Sequence, residues 1–280
     1  MTPTGPLAMI PDAPIAVPAR VRELAAGRPL TAVWVNGLGG ITFRDPGAAP
    51  GTRSAEGAGE RFIKWAAAGA PAEDLGAEAE RLAWARGHGA AVPAVLDVGA
   101  DAQGAWLITR GIPAQSAVTP RWRRDPERAA RGIGAGLRAL HETLPVSACP
   151  YSWSVETRLP EFEARLARGE GPESWDRAFR GLSVAEARAR LRDAPEPDRL
   201  VVCHGDACAP NTLLDAHGGF AAHVDLGALG VADRWADLAV AAWSTEWNYG
   251  PGFAHRVYEG YGIDPDPERI AYYRLLWDLS

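Results

Sequence analysis

The segment that most constrains the fold covers residues 199–227, RLVVCHGDACAPNTLLDAHGGFAAHVDLG. The apolar stretch LVV leads into the polar stretch CHGDACAPN, and two β-prone stretches, TLLD and AAHVDLG, follow around a glycine turn. This order predicts a buried strand, a polar loop and then a hairpin. Such a layout brings the polar loop and the end of the hairpin to the same edge, where their side chains can act together.

Three polar residues in this segment have the types and spacing needed for phosphoryl transfer. Asn211 lies five residues after Asp206, and Asp225 follows in the sequence HVDLG. Oxygen ligands such as those of Asn211 and Asp225 suit Mg²⁺, and Asp206 can then accept the proton of an attacking hydroxyl. Protein kinases divide the work in this way between the motif H-R-D-x-x-x-x-N and a later D-F-G. The pattern predicts Asp206 as catalytic base and Asn211 and Asp225 as metal ligands.

Each part of this pattern also has an ordinary structural interpretation. A Gly-Asp pair is more often a turn than an active site. His204 could be a hydrogen-bonded core histidine, and in the functional interpretation it holds the loop geometry instead of moving protons. The order and spacing of the parts favour the functional interpretation.

Lys64 is the single lysine among 29 basic residues, so the other 28 are arginine. It lies in the predicted strand RFIKW, and Glu78 lies in the predicted helix LGAEAERLAW. Kinases use a strand lysine, oriented by a helix glutamate, to hold the nucleotide phosphates. The compact ammonium is not interchangeable with the wider guanidinium fork of arginine. We therefore predict that Lys64 and Glu78 bind the nucleotide; chance retention of the lysine and pairing with Glu80 are the alternatives.

The glycine-rich stretch NGLGG lies between the β-prone stretches TAVWV and ITFR. Gly37, Gly39 and Gly40 could let backbone N–H groups approach the phosphates. A plain hairpin turn explains the same stretch equally well. The chain has no G-x-x-x-x-G-K-[ST] motif, which excludes a P-loop.

The character of the chain changes near residue 112. The first part is rich in predicted strands with one major helix, and the second part is mainly helical, with long patterns such as PERAARGIGAGLRALHETL. This arrangement predicts an α+β fold with an antiparallel sheet in the first lobe. We assign residues 1–112 to an N-terminal nucleotide-binding lobe and residues 113–280 to a C-terminal catalytic and substrate-binding lobe.

Composition excludes several classes of protein. The formal net charge of −6 argues against a nucleic-acid partner. The first 20 residues do not resemble a signal peptide, and no stretch of about 18 apolar residues could span a bilayer, so we expect a cytoplasmic protein without a membrane partner. Cys149, Cys203 and Cys208 fit free thiols better than a disulfide framework or a zinc site. The oligomeric state stays open.

The stretches VVCHGDACAPNTLLD, HVDLGALGVADRWADLA, LHETLPVSACPY and IAYYRLLWDLS resemble the aminoglycoside 3′-phosphotransferase family of protein-kinase-like antibiotic kinases. The resemblance runs from about residue 33 to the C-terminus and is most specific between 200 and 240. It implies a bilobal kinase fold, ATP or GTP with Mg²⁺, and transfer of the γ-phosphoryl group to a hydroxyl of an antibiotic, which gives resistance. By the same resemblance, Asp233 and Asp237 brace the catalytic loop.

The resemblance also indicates an acceptor site, but the chain departs from the family there. The family usually ends in LLDE and two apolar residues, whereas this chain ends in LLWDLS, so that Trp277 replaces an acid. Trp243 is expected in the core, and Trp277 could equally line a pocket or pack in the core. Fewer acids suggest a less cationic drug, or a sugar stacked on an aromatic ring. The predicted acceptor residues are Glu173, Glu246, Trp247, Asp278 and Ser280.

Two further functions remain open at this point. The same fold could phosphorylate another small molecule, such as a sugar, choline-like compound, nucleoside or peptide antibiotic. It could also act as a pseudokinase-like binding module, although Lys64, Asp206, Asn211 and Asp225 are all present.

Overall fold

A computed structural model describes residues 10–37, 39–47, 59–69 and 74–280. The chain forms two compact units. The first unit comprises the chain up to residue 86 together with residues 92–113, and the second comprises residues 87–91 and 114–280.

The first unit is built on a five-stranded antiparallel sheet with strand order β1-β2-β3-β5-β4. Its elements are, in chain order, α1 (Ala19–Leu24), β1 (Thr31–Val35), β2 (Ile41–Asp45), β3 (Arg61–Ala67), α2 (Leu75–Gly87), β4 (Val95–Asp101) and β5 (Gly104–Arg110). The predicted major helix and the predicted final β-pair are therefore both present.

Apolar spacing explains why α2 forms where it does. Leu75, Ala79 and Leu82 recur at helical intervals and are all buried, which is the signature of a helix with one apolar face. The sheet buries Phe43 and Ile63 against α1. The same face of α2 also buries a charged residue, Glu78, and such burial requires a specific partner.

The second unit is mainly helical. Its helices are α3 (Pro120–Arg123), α4 (Pro126–Thr143), α5 (Val155–Ala167), α6 (Val184–Arg192), α7 (Trp235–Tyr249), α8 (Ala254–Tyr261) and α9 (Pro267–Leu279). Its strands are β6 (Gln115–Ser116), β7 (Leu200–Cys203), β8 (Thr212–Leu214), β9 (Phe220–His223) and β10 (Gly230–Asp233). Strands β6, β8 and β9 form one small sheet, and β7 pairs with β10 in another. Together the units confirm the predicted fold class, an antiparallel sheet in the first part and a mainly helical second part.

Helices α4 and α8 cross at unusually short range because each presents a glycine to the other. A β-carbon added to Gly134 would collide with the carbonyl oxygen of Val257, and one added to Gly260 would collide with the carbonyl oxygen of Arg131. Backbone therefore contacts backbone at this crossing. Within the described ranges, no helix is both long and apolar enough to cross a membrane.

One strand is shorter than expected. The stretch AAHVDLG does not continue as a strand to Asp225, because β9 ends at His223. Asp225 instead has a positive φ of 67°, a conformation that aspartate tolerates better than most residues do. The residue therefore lies in a turn beyond the strand, before β10.

Candidate active site

The loop between β7 and β8 carries Asp206 at the end of a buried strand. Val201, Val202 and Cys203 are almost inaccessible to solvent, so β7 anchors the start of the loop. Gly205 has a φ of +84°, and a β-carbon there would collide with the carbonyl oxygen of Ala228. The turn that presents Asp206 therefore requires glycine at this position.

Asp237, in the first turn of α7, holds the loop from behind. Its carboxylate is fully buried and accepts hydrogen bonds from the backbone N–H groups of His204 (2.6 Å) and Gly205 (2.9 Å). Nε2 of His141 lies 2.9 Å from the same carboxylate, and its Nδ1 lies 3.1 Å from the Tyr261 hydroxyl. Burial alone would raise the pKa of Asp237, but the His141 hydrogen bond, the charges of the histidines and the backbone donors together lower it. Asp237 is thus an ionised anchor for the loop.

The two carboxylate oxygens of Asp206 differ in their hydrogen bonding. The Asn211 amide donates to the backbone carbonyl of Asp206 at 2.9 Å and to its Oδ2 at 3.0 Å. Oδ1 is buried, and within the described residues no group forms a hydrogen bond of ordinary geometry with it. The side chain therefore keeps one acceptor oxygen for a group outside the protein.

The pKa of Asp206 is raised. Burial is the main cause and the charge of Asp225 is the second, while His204, the nearby Cys208 thiol and the Asn211 amide act in the opposite direction. A carboxylate with a raised pKa is a stronger base than an ordinary aspartate. The environment therefore suits Asp206 to proton acceptance.

The residue before Asp225 ties the second acid to the loop. The backbone N–H of Val224 donates to the Asn211 carbonyl at 3.0 Å, and the Val224 carbonyl lies 2.9 Å from Nε2 of His204. Leu226, on the other side of Asp225, is fully buried. These contacts bring Asp225 close enough to Asp206 for its charge to affect the pKa there.

These residues fit a divalent cation. Two carboxylates and an amide oxygen are the hard donors that Mg²⁺ prefers. The repulsion between the carboxylates of Asp206 and Asp225 is a feature that a bound cation would relieve. His141, Cys203 and Asp237 also cluster, but burial raises the pKa of the Cys203 thiol far above its ordinary value, so Cys203 is a poor metal ligand.

In the first unit, β3 and α2 bring a cation and an anion together. Nζ of Lys64 donates to Oε2 of Glu78 at 2.8 Å, with side-chain exposures of 21% and 3%. Glu80 is exposed on another face of α2. The structure therefore pairs Lys64 with Glu78 and not with Glu80, and the buried Glu78 has the specific partner it needs.

The glycine-rich stretch joins β1 to β2. The Asn36 N–H donates to the Gly40 carbonyl at 2.9 Å, and the Gly40 N–H donates to Oδ1 of Asn36 at 2.7 Å. Gly39 has a φ of +87°, Gly37 lies in the turn, and Leu38 falls outside the described residues. The described residues of the stretch have the hydrogen bonds of a hairpin turn, and a role in covering phosphates stays a prediction.

The predicted acceptor residues all belong to the second unit. Glu173 is exposed in the connection between α5 and α6, and Glu246 is exposed, with one carboxylate oxygen 3.7 Å from Arg274. Asp278 accepts a hydrogen bond from the backbone N–H of Asp176 at 2.8 Å. Burial raises the pKa of Asp278 to about 6. The hydroxyl of Ser280 accepts a hydrogen bond from Nε of Arg158 at 3.0 Å.

Three tryptophans cluster where α7 meets α9. Trp243 is buried, as expected for a core residue, whereas Trp247 is 47% exposed. The ring of Trp247 stacks on that of Trp277, with centroids 5.8 Å apart and planes inclined by 28°. Trp243 supports both rings, at centroid distances of 4.7 Å and 6.3 Å.

Sequence reasoning missed two residues that contact this site. His141 completes the Asp237 anchor, and Oγ of Ser244 accepts a hydrogen bond from the Ala209 N–H, in the loop that carries Asp206, at 2.9 Å. For His141, the available signal was its position in the apolar pattern of α4, between Leu140 and Leu144.

A braced aspartate, an asparagine five residues later and a second aspartate beyond a hairpin define a kinase-type phosphotransferase. The chain belongs to the phosphotransferase enzyme family, whose model matches residues 52–273.

Its relatives place it more narrowly. It is 40% identical to an aminoglycoside 3′-phosphotransferase of Streptomyces fradiae, over 72% of this chain and 78% of the relative. It is 38% identical to the streptomycin 3″-kinase of Streptomyces griseus, over 75% of this chain and 82% of the relative.

Solved structures of aminoglycoside phosphotransferases are also similar to this chain. The aminoglycoside phosphotransferase APH(3″)-Id of Streptomyces rimosus superposes with a TM-score of 0.72 at 29% identity, covering 93% of this chain and 95% of that one. A complex of the same enzyme with ADP and streptomycin gives a TM-score of 0.66 at 29% identity, covering 85% and 90% of the two chains. These similarities confirm the kinase-like fold predicted from the sequence.

Proposed function

We propose that this protein transfers the γ-phosphoryl group of ATP to a hydroxyl of an aminoglycoside-type antibiotic and so inactivates the drug. The names of its relatives support this proposal, as does the binding of ADP and streptomycin by the Streptomyces rimosus enzyme. The observation that carries it is the Asp206 carboxylate, which is held by its neighbours and has one buried oxygen that forms no hydrogen bond of ordinary geometry with any described residue.

The chemistry assigned to Asp206 is proton acceptance. The hydroxyl oxygen of the acceptor forms a bond to the γ-phosphorus while the bond from that phosphorus to the β–γ bridging oxygen breaks, and ADP leaves. The hydroxyl proton passes to Oδ1 of Asp206. The raised pKa of this carboxyl favours the transfer, and the Asp237 anchor holds the loop that orients the carboxyl.

The remaining predicted residues receive roles by proposal. Asn211 and Asp225 would hold Mg²⁺, which when bound offsets the negative charge of the phosphate oxygens. Lys64, oriented by Glu78, would contact the nucleotide phosphates, and the glycine-rich turn would lie over them. The sequence left ATP and GTP open, and the ADP complex of the Streptomyces rimosus enzyme supports ATP. Because the reaction consumes ATP, we place it in the cytoplasm.

The experiment is a coupled ADP-release assay of the purified protein with MgATP and, separately, streptomycin, kanamycin and neomycin. We expect turnover of at least one drug by the native protein. In Asp206→Asn we expect kcat to fall about a thousandfold, while MgATP still binds. The free energy of unfolding of the same variant should rise by about 1 kcal/mol, because the substitution removes a carboxylate that is repelled by Asp225.

Asp215→Asn is the matched control, since Asp215 lies in the exposed β8–β9 turn and caps the N–H groups of His217 and Gly219. Its kcat should stay within twofold of the native value. Unchanged turnover in Asp206→Asn would remove Asp206 from the mechanism.

A second candidate function is phosphorylation of a less cationic small molecule. The observation that favours it is the state of the C-terminal acids: Glu246 lies near Arg274, and Asp278 is occupied by the Asp176 N–H. Turnover of a sugar, a nucleoside or a peptide antibiotic, with none of any aminoglycoside, would support this candidate. Thermal stabilisation by MgATP without any phosphate transfer would instead indicate a binding module.

A further inference from the structure

The stacked pair Trp247–Trp277, which we call the indole platform, combines an exposed ring, that of Trp247, with a half-buried one, that of Trp277. Trp247 is one of few large apolar side chains in the described part of the chain that are about half exposed. Its orientation is fixed by Trp243 beneath it, and Trp243 in turn packs edge-on against Phe179 at 5.9 Å. An ordered, exposed aromatic surface of this kind is typical of a binding site.

A short structural link connects the indole platform to the loop that carries Asp206. In α7, Ser244 contacts that loop through the Ala209 N–H, and Trp247 follows about one helical turn later. Trp277, in α9, stacks on Trp247. The indole platform therefore lies about one helical turn from a residue that contacts the loop of Asp206.

The two carboxylates beside the indole platform each lie near a protein group of their own. Glu246 precedes Trp247 in the chain and has Arg274 at 3.7 Å. Asp278 follows Trp277 and accepts the Asp176 N–H, and the pKa of its buried carboxyl is about 6. This surface consequently offers indole faces more readily than it offers carboxylates.

Aminoglycosides carry two common cationic groups, ammonium and guanidinium, and their chemistry decides which of the two this surface binds better. An ammonium is compact and strongly hydrated, and it needs carboxylates or other acceptors to replace its water. A guanidinium is planar and weakly hydrated, and it stacks on aromatic faces. A rigid indole face therefore suits a guanidinium much better than it suits a cluster of ammonium groups.

We infer that the indole platform binds the acceptor by stacking a guanidinium-bearing ring on Trp247, which makes guanidino aminoglycosides such as streptomycin the preferred substrates over ammonium-rich ones such as kanamycin. This inference rests on the proposed function and names its substrate class. Trp243, which packs against Phe179, and Trp277 act as positioning residues for Trp247.

The test compares steady-state kinetics of the native protein, Trp247→Ala, Trp247→Phe and Leu200→Ala with streptomycin and with kanamycin. Leu200→Ala is the matched control, because Leu200 is an apolar side chain with a similar exposure of 51% in the same unit and lies on β7, not on α7 or α9. In Trp247→Ala we expect the KM for streptomycin to rise about tenfold, with kcat within twofold and the KM for ATP unchanged. Trp247→Phe keeps an aromatic face and should restore the KM to within threefold of the native value, which a purely structural role would not predict.

The outcomes separate the inference from the proposed function. Failure of the native protein to phosphorylate either drug overturns the proposed function, and the inference with it. Turnover of streptomycin with the same KM in the native protein and Trp247→Ala overturns the inference alone. A native kcat/KM for kanamycin equal to or above that for streptomycin also overturns it and leaves the proposed function standing.

Discussion

Two fully buried aspartates, one in each unit, are stabilised in opposite ways. In the first unit, Asp45 at the end of β2 accepts hydrogen bonds from two guanidinium groups, those of Arg28 (2.8 Å) and Arg61 (2.8 Å), and from the Gly47 N–H. Arg61 also donates to the Leu24 carbonyl at the end of α1. Asp45 is thus neutralised by opposite charges, and the cluster attaches α1 to the sheet.

In the second unit, Asp237 is held by backbone N–H groups and an imidazole instead of by arginines. Two backbone N–H dipoles and one histidine ring contact its oxygens, in place of the two guanidinium groups at Asp45. A guanidinium at the same place would lower the pKa of Asp206 and weaken it as a base. The comparison teaches that one buried aspartate is neutralised by arginines, whereas the aspartate behind the loop of Asp206 is held mainly by backbone dipoles.

The largest effect should follow from Asp237→Asn. The amide replaces one acceptor oxygen by a donor that faces an N–H group, so a buried donor loses its partner. We expect the free energy of unfolding to fall by about 3 kcal/mol, and kcat to fall at least tenfold because the loop loses its anchor. Urea unfolding and the ADP-release assay measure the two effects. A stable variant with native activity would show that the backbone donors do not need the carboxylate.

Asp45→Asn should cost less, about 2 kcal/mol, because both arginines are partly exposed and can be hydrated when the charge is removed. We expect native kcat in a sample that remains folded, since Asp45 supports only the sheet and α1. The measurement is again urea unfolding together with the activity assay. A loss of stability larger than that of Asp237→Asn would break the comparison between the two anchors.

The smallest effect concerns Asp278, the buried acid whose pKa is raised to about 6. Because its pKa is higher in the folded than in the unfolded chain, its ionisation removes stability as the pH rises from about 4 to 6. Asp278→Asn keeps an acceptor for the Asp176 N–H and removes this cost. We expect a gain of about 1 to 2 kcal/mol at pH 7.5 that disappears below pH 4. Unfolding curves across this pH range test it, and a gain that does not depend on pH would contradict the assignment.

The sequence predicted those parts of the fold whose signals are local. The apolar spacing of α2 and the strand–loop–hairpin pattern around Asp206 both appear in the structure. Strand β10 was missed because it is only four residues long and pairs with β7, which lies far away in sequence. Helix α8 was also missed, although Val257, Tyr258 and Tyr261 recur at helical spacing.

For the candidate site, residue types could be inferred from the sequence but their partners could not. The spacing of Asp206 and Asn211 was sufficient to propose a kinase loop. The pairing of His141 with Asp237 joins residues from two distant helices, and no short-range pattern contains that information. The left-handed backbone of Asp225 was equally invisible, because the sequence pattern AAHVDLG favoured a continuous strand.

The glycine crossing of α4 and α8 has a practical consequence for mutational surveys. Gly134 precedes His141 in α4, and Gly260 is adjacent to Tyr261 in α8, so these two residues set the spacing of the helices that carry the His141–Tyr261 contact. An alanine scan is meant to delete side chains, but at these two positions it would add atoms and wedge the helices apart. Both glycines would then score as though they took part in the chemistry, and a map of intolerant positions would extend far beyond the residues that meet the substrate.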